Sequence, residues 1–331
     1  MVRMSRQISR LLLCAGFLMA VTNAVCAQSA ASYPNKPVRV IVPYPPGGGS
    51  DFTARIVFNG LTRIMGQPFI IDNRAGGETI IGVNAVAKAT PDGYTLLVIS
   101  DVLLANHWMM PGLPYDASKD FTLVAPLARS ESGLLVHPSV PADNLKGFVG
   151  YAKANPDKLN VAIGSPLNML SFQRFMNATG TRFTVVNYKG AGPSIADLVA
   201  GNVQVFISNL AAARPLIKSG KVRSFAVSGG KRDPELPDVP TFDEGGVKGF
   251  EPSGPLQNML LAPGKTPRDI VEKLNAQAAR ALADPEVIRA MAKLGINPAP
   301  MNVAAAEKTF RTELERFGQL VKDAGLRPGA K

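Results

Sequence analysis

Short β-branched segments alternate with helical patterns along most of this 331-residue chain. The candidate strands are rich in Val, Ile and Leu and occupy 38–42, 69–71, 96–99, 159–163, 184–187, 203–207 and 222–227. Between them apolar residues recur every three or four positions, which predicts helices over 51–65, 78–89, 144–155, 168–179 and 192–200. This alternation is typical of parallel sheets with helices on both faces, and it predicts an α/β fold.

The C-terminal part of the chain carries helical periods without a clear strand between them. One period includes Ile270 and Leu274, and another includes Phe310 and Leu314. We therefore expect these helices to pack on a sheet built elsewhere in the chain. Two apolar segments bracket the central region and are expected near two crossings between domains, at 121–127 and 259–262. The predicted domain I combines 28–128 with 251–331, and domain II spans 129–250.

The first residues have the pattern of a secretory signal peptide. Arginines precede an apolar run at 11–21, and small residues follow at 25–27. The run is about half the roughly 20 residues that span a bilayer, so a permanent anchor is the weaker alternative. We predict that 1–27 is removed and that the mature protein is periplasmic. Cys14 and Cys26 both lie in this segment, which leaves no cysteine for a disulfide or a metal site.

The charge pattern argues against nucleic-acid binding. The formal net charge is +11, but Lys and Arg are scattered among acidic residues rather than clustered. The chain has no zinc-finger, RNA-recognition or coiled-coil pattern. We therefore expect small-molecule binding without nucleic acid and without a cofactor.

A glycine-rich turn joins the first strand to the first helix. The segment reads Pro45-Pro46-Gly47-Gly48-Gly49-Ser50-Asp51, and Ser50 or Asp51 is predicted to cap the helix. Glycines let a ligand approach the backbone, and the N–H groups of a first helical turn attract anions. The turn lacks the Gly-Lys-Ser/Thr of a nucleotide phosphate loop and the spacing of a dinucleotide site. It predicts a site for a carboxylate or a phosphate.

Together with that turn, several ordered motifs carry a resemblance to a known family. They include Gly66-Gln67-Pro68, Pro91-Asp92-Gly93-Tyr94-Thr95 and the segments 33–39, 72–77, 113–121, 137–141, 188–190 and 236–241. In this order and spacing the chain resembles the periplasmic solute receptors of tripartite tricarboxylate transporters, the Bug family. The resemblance covers residues 33 to about 300.

The resemblance implies a two-domain periplasmic-binding-protein fold, a Venus flytrap of type II-like form. Such receptors close on an organic carboxylate and deliver it to membrane permease subunits, and they are not enzymes. We expect the protein to act as a monomer. The implied ligand-binding residues lie at strand-to-helix loops of both domains: Tyr44, Gly47, Gly48, Gly49, Ser50, Asp51, Ser100, Asp101, Gly164, Ser165, Asn168, Gly190, Ala191, Gly192 and Ser208.

Some of these positions depart from the family pattern. Gly-Thr is usual where Ser100 and Asp101 stand, a His is missing from the loop at 163–170, and Ile207-Ser208 replaces a usual Phe-Asp. Five apolar side chains would make the pocket less polar and favour a monocarboxylate with an apolar or aromatic part over citrate. The alternative is that they face the core beside the pocket. They are Ile99, Leu103, Leu167, Met169 and Leu170.

Two acidic residues have alternative roles. Asp101 could bind a ligand amino group, as in an amino acid or an N-heterocyclic acid, or it could cap the next helix. Asp51 would repel an anion, so we expect it to cap the helix and order water.

Two other functions are compatible with parts of the pattern. An extracytoplasmic sensor would use the same fold to signal to a membrane partner. A hydrolase or lyase would need a positioned nucleophile or base, but the chain has no G-x-S-x-G elbow and only His107 and His137 as histidines. We therefore predict a binding protein rather than an enzyme.

Overall fold

A computed structural model describes residues 32–250, 252 and 254–326. Its strands, numbered in chain order, are β1 Val38–Val42, β2 Phe69–Asn73, β3 Thr95–Ile99, β4 Phe121–Ser130, β5 Ser132–Val136, β6 Asn160–Ile163, β7 Thr184–Asn187, β8 Val205–Asn209, β9 Arg223–Val227, β10 Asn258–Pro263 and β11 Ile296–Pro298. Its helices are α1 Gly49–Met65, α2 Ile80–Ala87, α3 Val102–Met109, α4 Leu145–Ala154, α5 Pro166–Thr179, α6 Ala191–Ala200, α7 Leu210–Lys218, α8 Arg268–Leu282, α9 Pro285–Lys293 and α10 Val303–Asp323.

The strands form two separate sheets. The first sheet has the order β11-β4-β10-β3-β1-β2, and the second has the order β7-β6-β8-β5-β9. In the first sheet β1 is parallel to both β2 and β3, and in the second sheet β6 is parallel to both β7 and β8. These parallel strands are the ones that helices connect, which agrees with the α/β prediction.

The expectation of parallel sheets holds for only part of each sheet. Strand β10 is antiparallel to β3 and β4, β11 is antiparallel to β4, and β5 is antiparallel to β8 and β9. The chain passes from the first sheet to the second between Ser130 and Ser132, and it returns to the first sheet at Asn258. Each sheet is therefore mixed, with antiparallel strands at the places where the chain enters or leaves it.

Both apolar segments that were expected near the crossings are strands of the first sheet. They are β4 and β10, which pair with each other. The limits of the two predicted domains stay a prediction, although the sheets are built from the corresponding parts of the chain. Among the helices at described positions, none is long and apolar enough to cross a membrane.

The C-terminal part contains more structure than its helical periods indicated. Helix α9 and the short strand β11 lie between α8 and α10, where no strand was expected. Strand β11 has three residues and ends at Pro298, so it is too short to show the two-residue alternation of a strand.

The predicted helices are present, with starts that differ by up to two residues. Helix α1 buries Ala54, Val57, Phe58 and Leu61 and ends at Gly66, whose φ of 70° is left-handed. Helix α5 begins at Pro166 rather than at 168, because Ser165 accepts a hydrogen bond as its N-cap and proline suits the first helical position.

Helix α5 contributes to the cores of both sheets. Its residue Leu170 belongs to the first core cluster, which includes Ile99, Leu103 and Phe310 of the first sheet's layers. Its phenylalanines Phe172 and Phe175 belong to a cluster on the second sheet, where Phe172 packs edge-to-face against Phe183. This helix therefore joins the two layers through apolar contact.

Candidate functional site

Most of the predicted ligand-binding residues lie where a parallel strand ends and a helix begins. The junctions are β1–α1 at 43–48, β3–α3 at 100–101, β6–α5 at 164–165 and β7–α6 at 188–190. Ser208 differs, because it lies inside β8 opposite Gly133 rather than in a loop. Helix starts at the carboxyl ends of parallel strands present N–H groups toward the crevice beyond the sheet.

The glycine turn is held in place by the carboxylate of Asp51. Only 1% of this residue is exposed. Its Oδ2 accepts hydrogen bonds from Gly47 N at 2.9 Å and Arg55 Nε at 3.0 Å, and its Oδ1 accepts one from Asn73 Nδ2 at 2.9 Å. Burial alone would raise the pKa of Asp51, but these bonds outweigh it and lower that pKa below its ordinary value.

The prediction that Ser50 or Asp51 caps α1 was wrong. The helix begins at Gly49, its N-cap is Gly48, and no side chain accepts a bond at the cap. Asp51 instead accepts the N–H of Gly47, which precedes the helix. Its carboxylate therefore stabilises the conformation of the turn.

The glycine turn lies against the end of β8 in the second sheet. A Cβ placed on Gly49 would be 3.9 Å from Asn209 Nδ2, and the Asn209 amide donates to the hydroxyl of Ser130. Ser130 N in turn donates to Gln257 Oε1 at 2.7 Å. The hydroxyl of Ser50 donates to Asn258 Oδ1 at 2.7 Å. Hydrogen bonds therefore connect the turn to the returning crossing and the second sheet to both crossings, and the turn itself lies beside Asn209.

Sequence reasoning missed several residues of this contact network. They share a polar side chain at a strand end or beside a crossing, and they are Asn73, Ser130, Asn209, Gln257 and Asn258. A search for polar residues at the ends of apolar runs would have found most of them.

The β3–α3 junction is tied to the residue before the glycine turn. Tyr44 and Ser100 share a hydrogen bond of 2.7 Å between their hydroxyl oxygens, and Ser100 Oγ accepts the N–H of Val102 at 3.3 Å. Burial raises the pKa of Tyr44, so this hydroxyl stays protonated at physiological pH. The Ser100 hydroxyl therefore makes hydrogen bonds that stabilise the junction.

Asp101 occupies the N-cap position of α3 but does not cap the helix with its side chain. It is 3% exposed, and its Oδ2 has no hydrogen-bond partner among the described residues. Burial raises the pKa of this carboxyl to about 7, although its own backbone N–H, the charge of Arg316 and the N–H of Gly254 act in the opposite direction. The capping alternative is therefore contradicted.

The junctions of the second sheet pack against each other. Ser165 Oγ accepts the N–H of Asn168 at 3.2 Å, and Asn168 Nδ2 donates to Ile207 O at 3.1 Å. A Cβ on Gly164 would lie 2.9 Å from the carbonyl carbon and oxygen of Gly190. Gly190 has a φ of 111° and precedes Ala191 and Gly192 in the first turn of α6. Glycine at both positions lets the two turns meet.

The five apolar residues that depart from the family pattern pack against protein. Ile99, Leu103 and Leu170 are buried in the first core cluster, and Leu167 packs against it. Met169 packs against the cluster on the second sheet. Their burial supports the alternative that these side chains face cores beside the pocket.

Among the residues that the structure describes, neither histidine has the partners of a catalytic triad or a metal site. His137 Nδ1 shares a 2.8 Å hydrogen bond with the neighbouring Ser139 hydroxyl, and His107 Nδ1 lies 3.9 Å from Asp116 Oδ1. Within the described residues no group of three or more His, Cys, Asp or Glu is arranged for a metal ion.

Comparison with known proteins places this arrangement in a class. Rpa4515 of Rhodopseudomonas palustris, solved with adipate, is 33% identical with a TM-score of 0.83, over 89% of this chain and 99% of that one. MatC of the same species, solved with bound malate, is 32% identical with a TM-score of 0.78, over 87% of this chain and 100% of that one. Two α/β layers of this kind, shared with the solved periplasmic binding protein BugD, define a periplasmic solute-binding protein of the Venus flytrap kind.

The family follows from the sequence. The sequence model of a protein family, described as the tripartite tricarboxylate transporter family receptor, matches residues 53–326. BugT of Bordetella pertussis is 32% identical over 324 residues, which cover 96% of this chain and 98% of BugT. The chain therefore belongs to the tripartite tricarboxylate transporter receptor family, which confirms the resemblance. Members of this family are solute-binding receptors and not enzymes. The predicted signal peptide, 1–27, lies outside the described residues.

Proposed function

We propose that this protein captures a small organic carboxylate between its two sheets and delivers it to membrane permease subunits of a tripartite tricarboxylate transporter. The observation that carries the proposal is the approach of Gly49, at the start of α1, to Asn209, at the end of β8. Helix starts from both sheets can then offer N–H groups to one anion. Relatives solved with adipate and malate support a carboxylate as the ligand class.

The ligand would stabilise the closed form because it contacts both layers. A ligand shifts a conformational equilibrium only by its differential affinity for the two states. The N–H groups at the junctions would replace the hydration shell of the carboxylate, which otherwise makes burial costly. The permease would then recognise the closed receptor, and we expect that receptor to be a monomer.

A thermal-shift screen of the purified protein tests the ligand class. The panel contains succinate, adipate, malate, citrate, benzoate, L-aspartate and L-glutamate. A ligand that binds only the folded state raises the melting temperature in proportion to the logarithm of its concentration. We expect at least one carboxylate to do so. A folded protein that responds to none of them, in the screen and in calorimetric titration, would contradict carboxylate capture.

A substitution in the glycine turn tests the place of binding. Gly48 has a φ of −87° and an ideal Cβ there would be no closer than 4.0 Å to the neighbouring atoms, so Gly48→Leu fills the approach to the turn without backbone strain. We expect carboxylate affinity to fall at least tenfold with a small change in stability. Gly150→Ala is the matched control, because it adds a methyl group in open space on α4. Equal affinities in the two variants would place the ligand elsewhere.

Delivery to a permease is tested in cells that lack the gene. We expect uptake of the radiolabelled carboxylate identified in the screen to fall to background and to return with the wild-type gene but not with Gly48→Leu. Unchanged uptake together with a lost transcriptional response to that carboxylate would favour the sensor alternative.

A further inference from the structure

The chain crosses from the first sheet to the second through a single residue. Ser130 ends β4, Ser132 begins β5, and Glu131 alone lies between them. The returning crossing is much longer, since β9 ends at Val227 and β10 begins at Asn258. A rotation of one sheet against the other changes the backbone angles of the short crossing, because a hinge concentrates such changes in a few residues. Residues 130–132 are therefore the pivot between the sheets.

Hydrogen bonds from the second sheet hold the pivot in one conformation. Asn209 pairs with Ser132 in that sheet, and its side-chain amide donates to the hydroxyl of Ser130 in the first sheet. The next N–H along the chain, that of Leu210, donates to Glu131 O at 2.8 Å. Asn209 moves with the second sheet and Ser130 with the first. A rotation at Glu131 therefore separates the amide from the hydroxyl.

The pivot is also bonded to both ends of the returning crossing. Ser228, directly after β9, donates from its hydroxyl to Glu131 Oε2 at 2.7 Å. Gln257, directly before β10, accepts with Oε1 from Ser130 N at 2.7 Å and from Ser130 Oγ at 3.1 Å. Ser130 and Ser228 are each 1% exposed. A buried polar group that loses its partner costs free energy, so these bonds favour the conformation in which all of them form.

One amide group connects the pivot with the proposed anion site. A Cβ on Gly49, in the first turn of α1, would lie 3.9 Å from Asn209 Nδ2, and this same nitrogen donates to Ser130. The Ser130 hydroxyl donates its own hydrogen to Gln257, which leaves its oxygen as an acceptor for Asn209. A ligand at the glycine turn would therefore lie beside the group that holds the pivot.

We propose that the Ser130 hydroxyl is a latch that holds the two sheets in the apposed conformation, and that the protein opens by breaking its hydrogen bond with Asn209. The inference rests on the proposed function for the effect on the ligand, whereas the latch acts with or without ligand. Ser130 is a positioning residue, because it acts through the placement of the two sheets. Apparent affinity falls with the fraction of molecules in the binding-competent conformation, so loss of the latch weakens binding without loss of a ligand contact.

Pulsed electron double resonance between two spin labels tests the latch. Both cysteines of the chain lie in the predicted signal peptide, so the mature protein gives a cysteine-free background. Asn59→Cys on α1 and Ala196→Cys on α6 place a label at an exposed position on each layer. At each ligand concentration, including zero, we expect Ser130→Ala to raise the ratio of long-distance to short-distance molecules at least tenfold. An unchanged ratio in the folded variant would overturn the proposal.

Thr179→Val is the matched control for loss of a buried hydroxyl. Thr179 is 7% exposed and bonds Phe175 O and the Thr181 hydroxyl, but it lies at the end of α5 rather than at a crossing. Its loss should lower the melting temperature and leave the distance ratio unchanged. An equal rise of the ratio in both variants would show that any loss of stability opens the protein, which would contradict a latch at Ser130.

Gln257→Met gives the same test should Ser130→Ala fail to fold. It removes the oxygen that orients the Ser130 hydroxyl and keeps a side chain of similar length. We expect the ratio of long-distance to short-distance molecules to rise at least threefold. An unchanged ratio in folded Gln257→Met would contradict the orienting role of this residue and the latch with it.

Calorimetric titration with the carboxylate identified in the screen separates the latch from a direct ligand contact. In Ser130→Ala the dissociation constant should rise by the factor by which the ligand-free short-distance fraction falls. A higher dissociation constant with an unchanged distance ratio would assign Ser130 to the ligand site and overturn the latch. A folded protein that binds no carboxylate would contradict the proposed function, and the ligand-free distance ratio would then decide the latch by itself.

Discussion

The hydroxyl of Ser50 donates to Oδ1 of Asn258 across 2.7 Å, although 208 residues separate them in the chain. Ser50 lies in the first turn of α1, and Asn258 begins the strand on which the chain returns to the first sheet. The proposed anion site and a crossing between the sheets are therefore connected by one hydrogen bond. A ligand that reshapes the glycine turn would act directly on this crossing.

Removal of the Ser50 hydroxyl should destabilise the protein. In Ser50→Ala the amide oxygen of Asn258, a residue only 5% exposed, loses its donor. A buried acceptor left without a partner costs about 1–3 kcal/mol, measured as the free energy of unfolding in urea. The control Ser219→Ala removes an exposed hydroxyl that bonds Leu216 O and should cost much less. Similar losses in the two variants would show that Ser50 has no special role.

Helix α5 should hold the two layers together through Leu170. This side chain is 1% exposed in the core cluster of the first sheet, although its helix also packs on the second. Leu170→Ala should lower the free energy of unfolding by about 2–5 kcal/mol, since a cavity replaces the side chain. The control Ile288→Ala, at a residue 41% exposed, should cost under about 1 kcal/mol. A loss below about 1 kcal/mol at Leu170 would mean that the layers meet differently in solution.

The contact between the two junctions of the second sheet should not tolerate a side chain. In Gly164→Ala the new Cβ would meet the Gly190 carbonyl group at 2.9 Å, and backbone atoms cannot move aside as a flexible side chain can. We expect a loss of about 1–3 kcal/mol in unfolding free energy and weaker carboxylate binding. Gly150→Ala, inside α4 with open space around its Cβ, should be neutral or stabilising by up to about 1 kcal/mol.

The substitution Asp101→Asn should stabilise the ligand-free protein in mildly alkaline solution. The folded-state pKa of about 7 lies above the unfolded value, so the folded state favours the protonated form, and its contribution to stability is lost as the pH rises through about 7. Asp101→Asn cannot ionise and avoids this loss. We expect the gain in stability of the variant over wild type to grow between about pH 4, near the unfolded pKa, and about pH 7, as followed by thermal unfolding. A constant difference across that range would contradict the raised pKa.

Asp116 should show the opposite dependence on pH. Hydrogen bonds from Ser118, followed by the bond and charge of Lys119, lower the pKa of this carboxyl to about 2 despite partial burial. Its contribution is therefore present above the unfolded pKa and is lost as the pH falls through about 2. Asp116→Asn should be less stable than wild type near neutral pH, and the difference should shrink in acid unfolding measured below about pH 4. A difference that does not depend on pH would exclude the ionised carboxylate as its source.

Local patterns located most elements of the candidate site. The three- and four-residue spacing at 51–65 predicted α1 to within two residues at its start, and the apolar run at 96–99 predicted β3. Ser208 was predicted to lie in a loop, but it lies inside β8. The strand extends to Asn209, beyond the apolar residues that predicted it. The N-cap of α1 was also predicted wrongly. Asp51 does not cap the helix, because its carboxylate accepts hydrogen bonds from Gly47 and Asn73, and these bonds exist only in the folded turn.

The sequence by itself determined the α/β class, the glycine turn and the family, since helical and strand periods are local and motifs keep their order along the chain. Only the tertiary structure decided that β10 runs antiparallel, that Leu170 enters the first core and that Asn258 meets Ser50. The physical reason is that these relationships join residues distant in sequence. They form only when both sheets are assembled, and burial and register then select the contacts.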